Sequence, residues 1–278
     1  MTPTIATKTL SSGAVMPMIG LGVFQSEPGA ETYNAVLSAL KLGYRHIDTA
    51  QYYENEADVG RAVRDSGVPR EQVFVTTKLV LDSWSYNKAM NAAKSSNEKL
   101  GLGYIDLYLL HAPFAPEHRE DAWRAVEDLH EQGILKDIGV SNFSEAHLEK
   151  LFKTARVKPC VNQVELHPWL MRSSLVKFCQ DHDIILQAYS PLARATKMED
   201  PTLVAIAKEV GASPAQVLIA FSLANGFVAL PKSVHAERQL SNLEAATIKL
   251  TPAQVERLTS PDSYLPTALW DPVKQHAV

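Results

Sequence analysis

Cysteine is nearly absent: Cys160 and Cys179 are the only two in 278 residues. Neither sits in a C-x-x-C pair or a Cys/His cluster of zinc spacing, which argues against a structural zinc site or a disulfide framework. Two reduced, buried thiols are expected instead. No apolar run approaches the ~20 residues of a membrane span. The start, Met1-Thr-Pro-Thr-Ile-Ala-Thr-Lys8, lacks the basic stretch and apolar core of a secretory signal, so a cytoplasmic location is expected. Excess positive charge is missing too. The net charge of −4 gives no basic footprint for nucleic acid or an anionic membrane. No G-x-G-x-x-G follows the first apolar run, since Gly20-Leu-Gly22-Val-Phe24 does not complete it, and this argues against a doubly wound dinucleotide fold.

What is present is alternation. Short apolar runs occur at Met18–Gly22, Tyr44–Asp48, Val73–Lys78, Ile105–His111, Leu135–Val140, Cys160–Val164, Ile184–Tyr189 and Phe227–Pro231. Most do not alternate apolar with polar residues, as expected for strands of a parallel sheet buried on both faces. Helical patterns separate them. One spans Glu31–Leu42 and stops at Gly43; others are Pro201–Val210 and Pro214–Asn225. Ser213-Pro214 and Thr251-Pro252 place a cap before a proline at the first helical position. Ser144 can cap the segment to Thr154, but the third residue on is His147 rather than Glu, so only half of a capping box fits. Thr7 to Met16 reads as a hairpin able to close one barrel end. These elements predict an α/β chain forming one (β/α)8 barrel domain over residues 1–278, without an internal linker.

A barrel collects its chemistry at the C-terminal ends of its strands. Here the apolar runs end on Asp48, Lys78, His111, Ser141-Asn142, Gln163 and Glu165, Tyr189-Ser190, and Lys232-Ser233. Each has an ordinary structural alternative. Asp48 could cap a helix, Lys78 could be a solvated loop lysine, and His111 a hydrogen-bonded core histidine. Tyr52 and Tyr53 could both be packing aromatics. Taken together they form a ring of polar groups at one barrel end, which points to a site.

Asp48-Thr-Ala-Gln-Tyr-Tyr53-Glu-Asn-Glu56 resembles the aldo-keto reductases. So do Thr76-Thr-Lys78-Leu, Ile105-Asp-Leu-Tyr-Leu-Leu-His111, Gly139-Val-Ser-Asn-Phe143, Asn162-Gln163-Val-Glu165, Gln187-Ala-Tyr189-Ser-Pro-Leu192 and Leu230-Pro-Lys232-Ser233. The segments run in family order from Gly20 to about Asn242. The compact spacing after His111 and after Ala193 is similar to that of microbial-type reductases of the diketogluconate and prostaglandin F synthase kind. The resemblance implies a catalytic tetrad of Asp48, Tyr53, Lys78 and His111, and it selects Tyr53 over Tyr52. It implies NADPH as coenzyme, with Ser141, Asn142, Gln163 and Tyr189 at the nicotinamide and Ser190 and Leu192 along the pyrophosphate. Lys232, Ser233, Arg238 and Asn242 would hold the adenosine end, the two cations suiting a 2′-phosphate. Reduction of an aldehyde or ketone follows, with Tyr53 as proton donor. Lys78 is expected to lower the phenol's pKa from its free value of ~10.

Departures from the family concern the substrate. Phe24, Val80 and Ala112 stand where many members carry tryptophan, so Phe24, Ala112, Trp84 and Trp270 are the expected pocket wall, with Phe114 beside them. Ser241 replaces an acid common near the adenine. The tail from Tyr264 to Val278 is expected to fold over the barrel mouth. A monomer acting on a small carbonyl compound, with no metal, nucleic-acid or membrane partner, completes the expectation. Two rivals remain open at this stage. One is a coenzyme-binding sensor that turns over slowly; the other is a metal-assisted hydrolase built on His111, Glu165 and Asp48.

Overall fold

The computed structural model describes residues 3–82, 84–267 and 271–274. An antiparallel hairpin, β1 (Thr7–Thr9) with β2 (Val15–Pro17), precedes eight parallel strands. These are β3 (Leu21–Gly22), β4 (His46–Asp48), β5 (Phe74–Leu79), β6 (Ile105–Leu110), β7 (Leu135–Ser141), β8 (Val161–Glu165), β9 (Ile185–Tyr189) and β10 (Val228–Leu230), each paired with its neighbour in chain order. The seam between β10 and β3 closes through parallel bridges, Ile19 to Ala229 and Gly22 to Lys232. Gly20 allows this. A Cβ there would lie 2.7 Å from a Leu230 methyl carbon and 2.9 Å from the His46 ring.

Ten α-helices surround or follow the strands among the described residues: α1 (Ala30–Leu42), α2 (Glu56–Asp65), α3 (Tyr86–Leu100), α4 (Arg119–Glu131), α5 (Glu145–Phe152), α6 (Ser173–Asp181), α7 (Pro201–Val210), α8 (Pro214–Ala224), α9 (Ala236–Glu244) and α10 (Pro252–Leu258). Helix α1 ends at Gly43, whose φ of 111° lets its N–H return to the carbonyls of Ala39 and Leu40. Ser213 and Thr251 cap α8 and α10, each answered by a glutamine three residues on. At α5 the half-box expectation is corrected. His147 Nδ1 accepts from the Ser144 N–H at 3.2 Å, so an imidazole completes the box in place of Glu. No single described helix is long and apolar enough to cross a membrane.

Strand alternation divides the core. In β6, Leu107 and Leu109 join Met16, Leu10, Val228 and Leu230 in the barrel's interior plug, whereas Tyr108 and Leu110 pack outward against the helices. Burying each such leucine contributes about 1.5–3 kcal/mol. The hairpin therefore fills the N-terminal end of the barrel, leaving the C-terminal end for polar groups. The tail returns to that end. Leu265 N donates to Trp169 O at 3.0 Å, and Arg172 grips the Asp271 carboxylate with two nitrogens at 2.8 and 3.1 Å.

Candidate active site

Inward-facing positions alternate along β5, so Thr76 and Lys78 share the barrel interior while Thr77 turns outward to Glu56 on α2, 2.6 Å away. Lys78 has no solvent exposure. Its ammonium donates to Asp48 Oδ1 at 2.7 Å, to the Thr49 carbonyl at 2.8 Å and to Tyr53 Oη at 3.3 Å. Three donors thus meet three acceptors, the full capacity of an ammonium. Burial pushes the Lys78 pKa down, and the Asp48 carboxylate pulls it back.

Tyr53 stands on a 3-10 turn, Gln51–Tyr53, that follows β4. The turn is anchored by Asn55. Thr49 Oγ1 donates to Asn55 Oδ1 at 2.7 Å, and Asn55 Nδ2 donates to the Val23 carbonyl at 3.1 Å. Of the adjacent tyrosines, Tyr53 reaches Lys78, while Tyr52 is 56% exposed. The phenol oxygen accepts from Lys78, so its own proton is free to be given elsewhere. The expected fall in the phenol's pKa is not met. Burial, seconded by the Asp48 carboxylate, holds it well above its usual range. Desolvation is the larger cause, and the nearby negative charge adds to it.

His111 follows β6, with its ring centroid 5.8 Å from that of Tyr53. Burial, reinforced by the Lys78 cation, lowers its pKa to about 3, so the imidazole is neutral near pH 7. Its Nδ1 is enclosed and has no hydrogen-bond partner among the described residues. Beside it, Asn142 adopts a left-handed conformation (φ 62°) just past β7, sending Nδ2 to the His111 carbonyl at 3.0 Å. Asn142 Oδ1 accepts from Tyr189 Oη at 3.0 Å, which fixes the half-buried Tyr189 ring at the end of β9. Ser141 Oγ donates to the Gln163 carbonyl at 2.8 Å. Gln163 Nε2 in turn donates to Asp48 Oδ2 at 2.8 Å and to Gln187 Oε1 at 2.7 Å.

The structure thus brings Asp48, Lys78, Tyr53, His111, Ser141, Asn142, Gln163 and Tyr189 together at one end of the barrel. Ser190, with φ of 46°, and the half-buried Leu192 continue along the next loop. Ser233 and Asn242 are buried near α9, whereas Lys232 and Arg238 are exposed and enter no ion pair among the described residues. The expected pocket wall is met unevenly. Phe24 is 38% exposed with its ring 5.0 Å from that of Tyr53, and Ala112 is buried beside His111. Trp84, at 2% exposure, packs in the core edge-on to Phe114, the other aromatic expected beside the wall. Trp270 lies outside the described residues. Glu165 Oε1 is taken by His167 at 3.3 Å and by Thr267, and the described residues form no cluster that joins Glu165 with Asp48 and His111 as a metal site. Gln187 and Asn55 had no role in the sequence reading. A glutamine inside the apolar run Ile184–Tyr189, in phase with Tyr189, was the available signal for the first.

A closed (β/α)8 barrel with an ion-paired lysine, a tyrosine and a neutral histidine at its C-terminal mouth defines a class of barrel oxidoreductases. Residues 18–262 match the sequence profile of the Aldo/keto reductase family. The chain is 44% identical over 253 residues to a 9,11-endoperoxide prostaglandin H2 reductase of Trypanosoma cruzi, covering 90% of this chain and 89% of that protein. It is 40% identical to a glyoxal reductase of Bacillus subtilis, covering 91% of each. Among solved structures, an aldo/keto reductase from Brucella melitensis superposes with a TM-score of 0.89 at 39% identity, over 92% of this chain and 99% of that one. A Bombyx mori aldo-keto reductase in complex with NADP gives 0.87 at 32% identity, over 92% of each chain. The chain belongs to the aldo-keto reductase family, enzymes that use NADP(H), and is a carbonyl-reducing oxidoreductase.

Proposed function

We propose that the protein reduces an aldehyde or ketone to the alcohol with NADPH, Tyr53 supplying the proton. The observation that carries this is Lys78, whose ammonium joins Asp48 at 2.7 Å to Tyr53 at 3.3 Å. When bound, NADPH supplies the hydride that reduces the carbonyl carbon. Tyr53 gives its free proton to the substrate oxygen. Its high pKa keeps that proton in place at neutral pH, and the adjacent cation stabilises the phenolate as the proton leaves. Asp48 keeps Lys78 charged and aimed. The neutral His111 hydrogen-bonds the substrate oxygen and orients the carbonyl. Positioned proton transfer of this kind contributes on the order of 10²–10⁴-fold.

The residues fit the coenzyme. Both Gln163 N–H groups are consumed by Asp48 and Gln187, leaving its Oε1 as an acceptor for a carboxamide N–H. Ser141 and Asn142 flank it, and the fixed Tyr189 ring offers a stacking face. Ser190 and Leu192 would follow the pyrophosphate; Lys232, Ser233, Arg238 and Asn242 would receive the adenosine end. Phe24 and Ala112 would meet the substrate. The likeness to a glyoxal reductase makes small dicarbonyls the first compounds to try.

The test follows NADPH absorbance over a carbonyl panel, with wild type beside Tyr53→Phe. The variant should lose reduction while binding NADPH, read by fluorescence, almost as well as wild type. A wild type that binds NADPH but reduces nothing would put the sensor reading first.

A further inference from the structure

Strands β8 and β9 pair in a register that sets Gln163 opposite Gln187, and both side chains enter the barrel. Gln187 is fully buried. Its Nε2 lies 3.1 Å from Met16 Sδ in the hairpin plug, and its Oε1 accepts from Gln163 Nε2 at 2.7 Å. Gln163 Nε2 also donates to Asp48 Oδ2 at 2.8 Å.

The two ends of this chain decide its direction. A carboxylate only accepts hydrogen bonds, so the Gln163 nitrogen must face Asp48. A thioether has no proton to give, so the Gln187 nitrogen must face Met16. Between them only one orientation of each amide is self-consistent. The terminal torsion of a glutamine is otherwise broad and roughly two-fold. Asp48 alone would fix one N–H of Gln163 and leave the amide free to pivot about that contact. Gln187 supplies the second point and holds Oε1 in one place.

We infer that Gln187 is a positioning residue: by accepting the second N–H of Gln163 it presents Gln163 Oε1 to the coenzyme's carboxamide. This inference rests on the NADPH reading above. Gln187 is fully buried and its side-chain amide meets Gln163 and Met16, so its influence should pass through Gln163 and appear in coenzyme affinity rather than in the Michaelis constant for the carbonyl.

The experiment is a double-mutant cycle read by NADPH fluorescence titration on wild type, Gln187→Met, Gln163→Met and the double variant. Methionine keeps the volume and removes the amide. Gln187→Met should weaken NADPH binding about tenfold, the worth of one lost positioning hydrogen bond. The double variant should bind no more weakly than Gln163→Met alone, because coupled residues are not additive. Losses that add, or an unchanged Kd in Gln187→Met, would overturn the inference. A general packing effect would instead lower Tm and leave the cycle additive. Should Gln187→Met not fold, Gln187→Leu takes its place. Heteronuclear NMR of unliganded wild type gives an answer without any variant. Slow exchange of both Gln163 side-chain protons is expected, and rapid exchange of either contradicts the inference. Wild type that fails to bind NADPH would remove the coenzyme reading itself, a different result from binding that Gln187→Met leaves unmoved.

Discussion

Lys78 and Asp48 form an ion pair of 2.7 Å in which the side chains are 1% and 6% exposed. Such a pair is costly to break, because removing one partner leaves the other charge buried, a loss of about 3–5 kcal/mol. Asp48→Asn sharpens the point. One amide oxygen cannot replace two carboxylate oxygens that serve Lys78 and Gln163 separately. Either the lysine or the glutamine then loses its acceptor. Asp48→Asn should reduce kcat at least a hundredfold and lower denaturant stability by several kcal/mol; near-normal turnover would show that Lys78 needs no anion.

The state of His111 sets the acid side of the pH profile. Burial, with Lys78 as the second cause, puts its pKa near 3. A lowered histidine pKa keeps the ring neutral until the pH falls close to that value, well below the free value of ~6.5. On the alkaline side, the Tyr53 phenol keeps its proton beyond its ordinary range. Reductive kcat/KM should therefore be flat from about pH 5 to about pH 9. A limb near pH 6.5 that disappears in His111→Gln would contradict this.

The proposed coenzyme reading assigns the 2′-phosphate to two exposed cations without ion-pair partners among the described residues, Lys232 and Arg238. A 2′-phosphate adds a divalent anion that NADH lacks, and a guanidinium can hold it with two hydrogen bonds. Arg238→Ala should weaken NADPH about tenfold while leaving NADH within about twofold, and added salt should narrow the difference. Equal losses for both coenzymes would move the phosphate contact elsewhere.

The barrel was legible because strands buried on both faces carry unbroken apolar stretches, as residues 107–110 of β6 do. Their polar ends marked Asp48, Lys78 and His111 because a polar side chain there interrupts a buried pattern. The first run shortened, since Ile19 is held by a single bridge to Ala229 at the barrel seam and only Leu21–Gly22 forms strand. What sequence does not encode locally is depth. Whether the phenol's pKa falls by charge or rises by burial depends on how far Tyr53 sinks and on the Asp48 charge near it. The same holds for Trp84, since an indole reads the same on a pocket wall as in a core. Gln187 went unassigned because its partners, Met16 and Gln163, are distant in the chain.

Besides the Leu265 to Trp169 hydrogen bond, two side-chain contacts fasten the tail on the β8 side of the mouth. Arg172 spans the Glu165 carbonyl and the Asp271 carboxylate, and Thr267 donates to Glu165 Oε1 from both its backbone N–H and its hydroxyl. The Arg172 and Asp271 side chains are 4% and 7% exposed, so their pairing is little screened. Yet the pair holds only a terminal segment to a finished barrel. Its loss is therefore limited by the free energy of undocking that segment, not by global unfolding. Asp271→Asn should leave Tm within a few degrees of wild type while proteolysis after Thr267 becomes faster. Because the segment borders Glu165, the strand partner of Tyr189, the KM for the carbonyl should rise several-fold with NADPH affinity unchanged. If Tm collapses instead, the tail is an integral part of the barrel; if KM and cleavage stay put, the Thr267 and Leu265 contacts suffice to hold it.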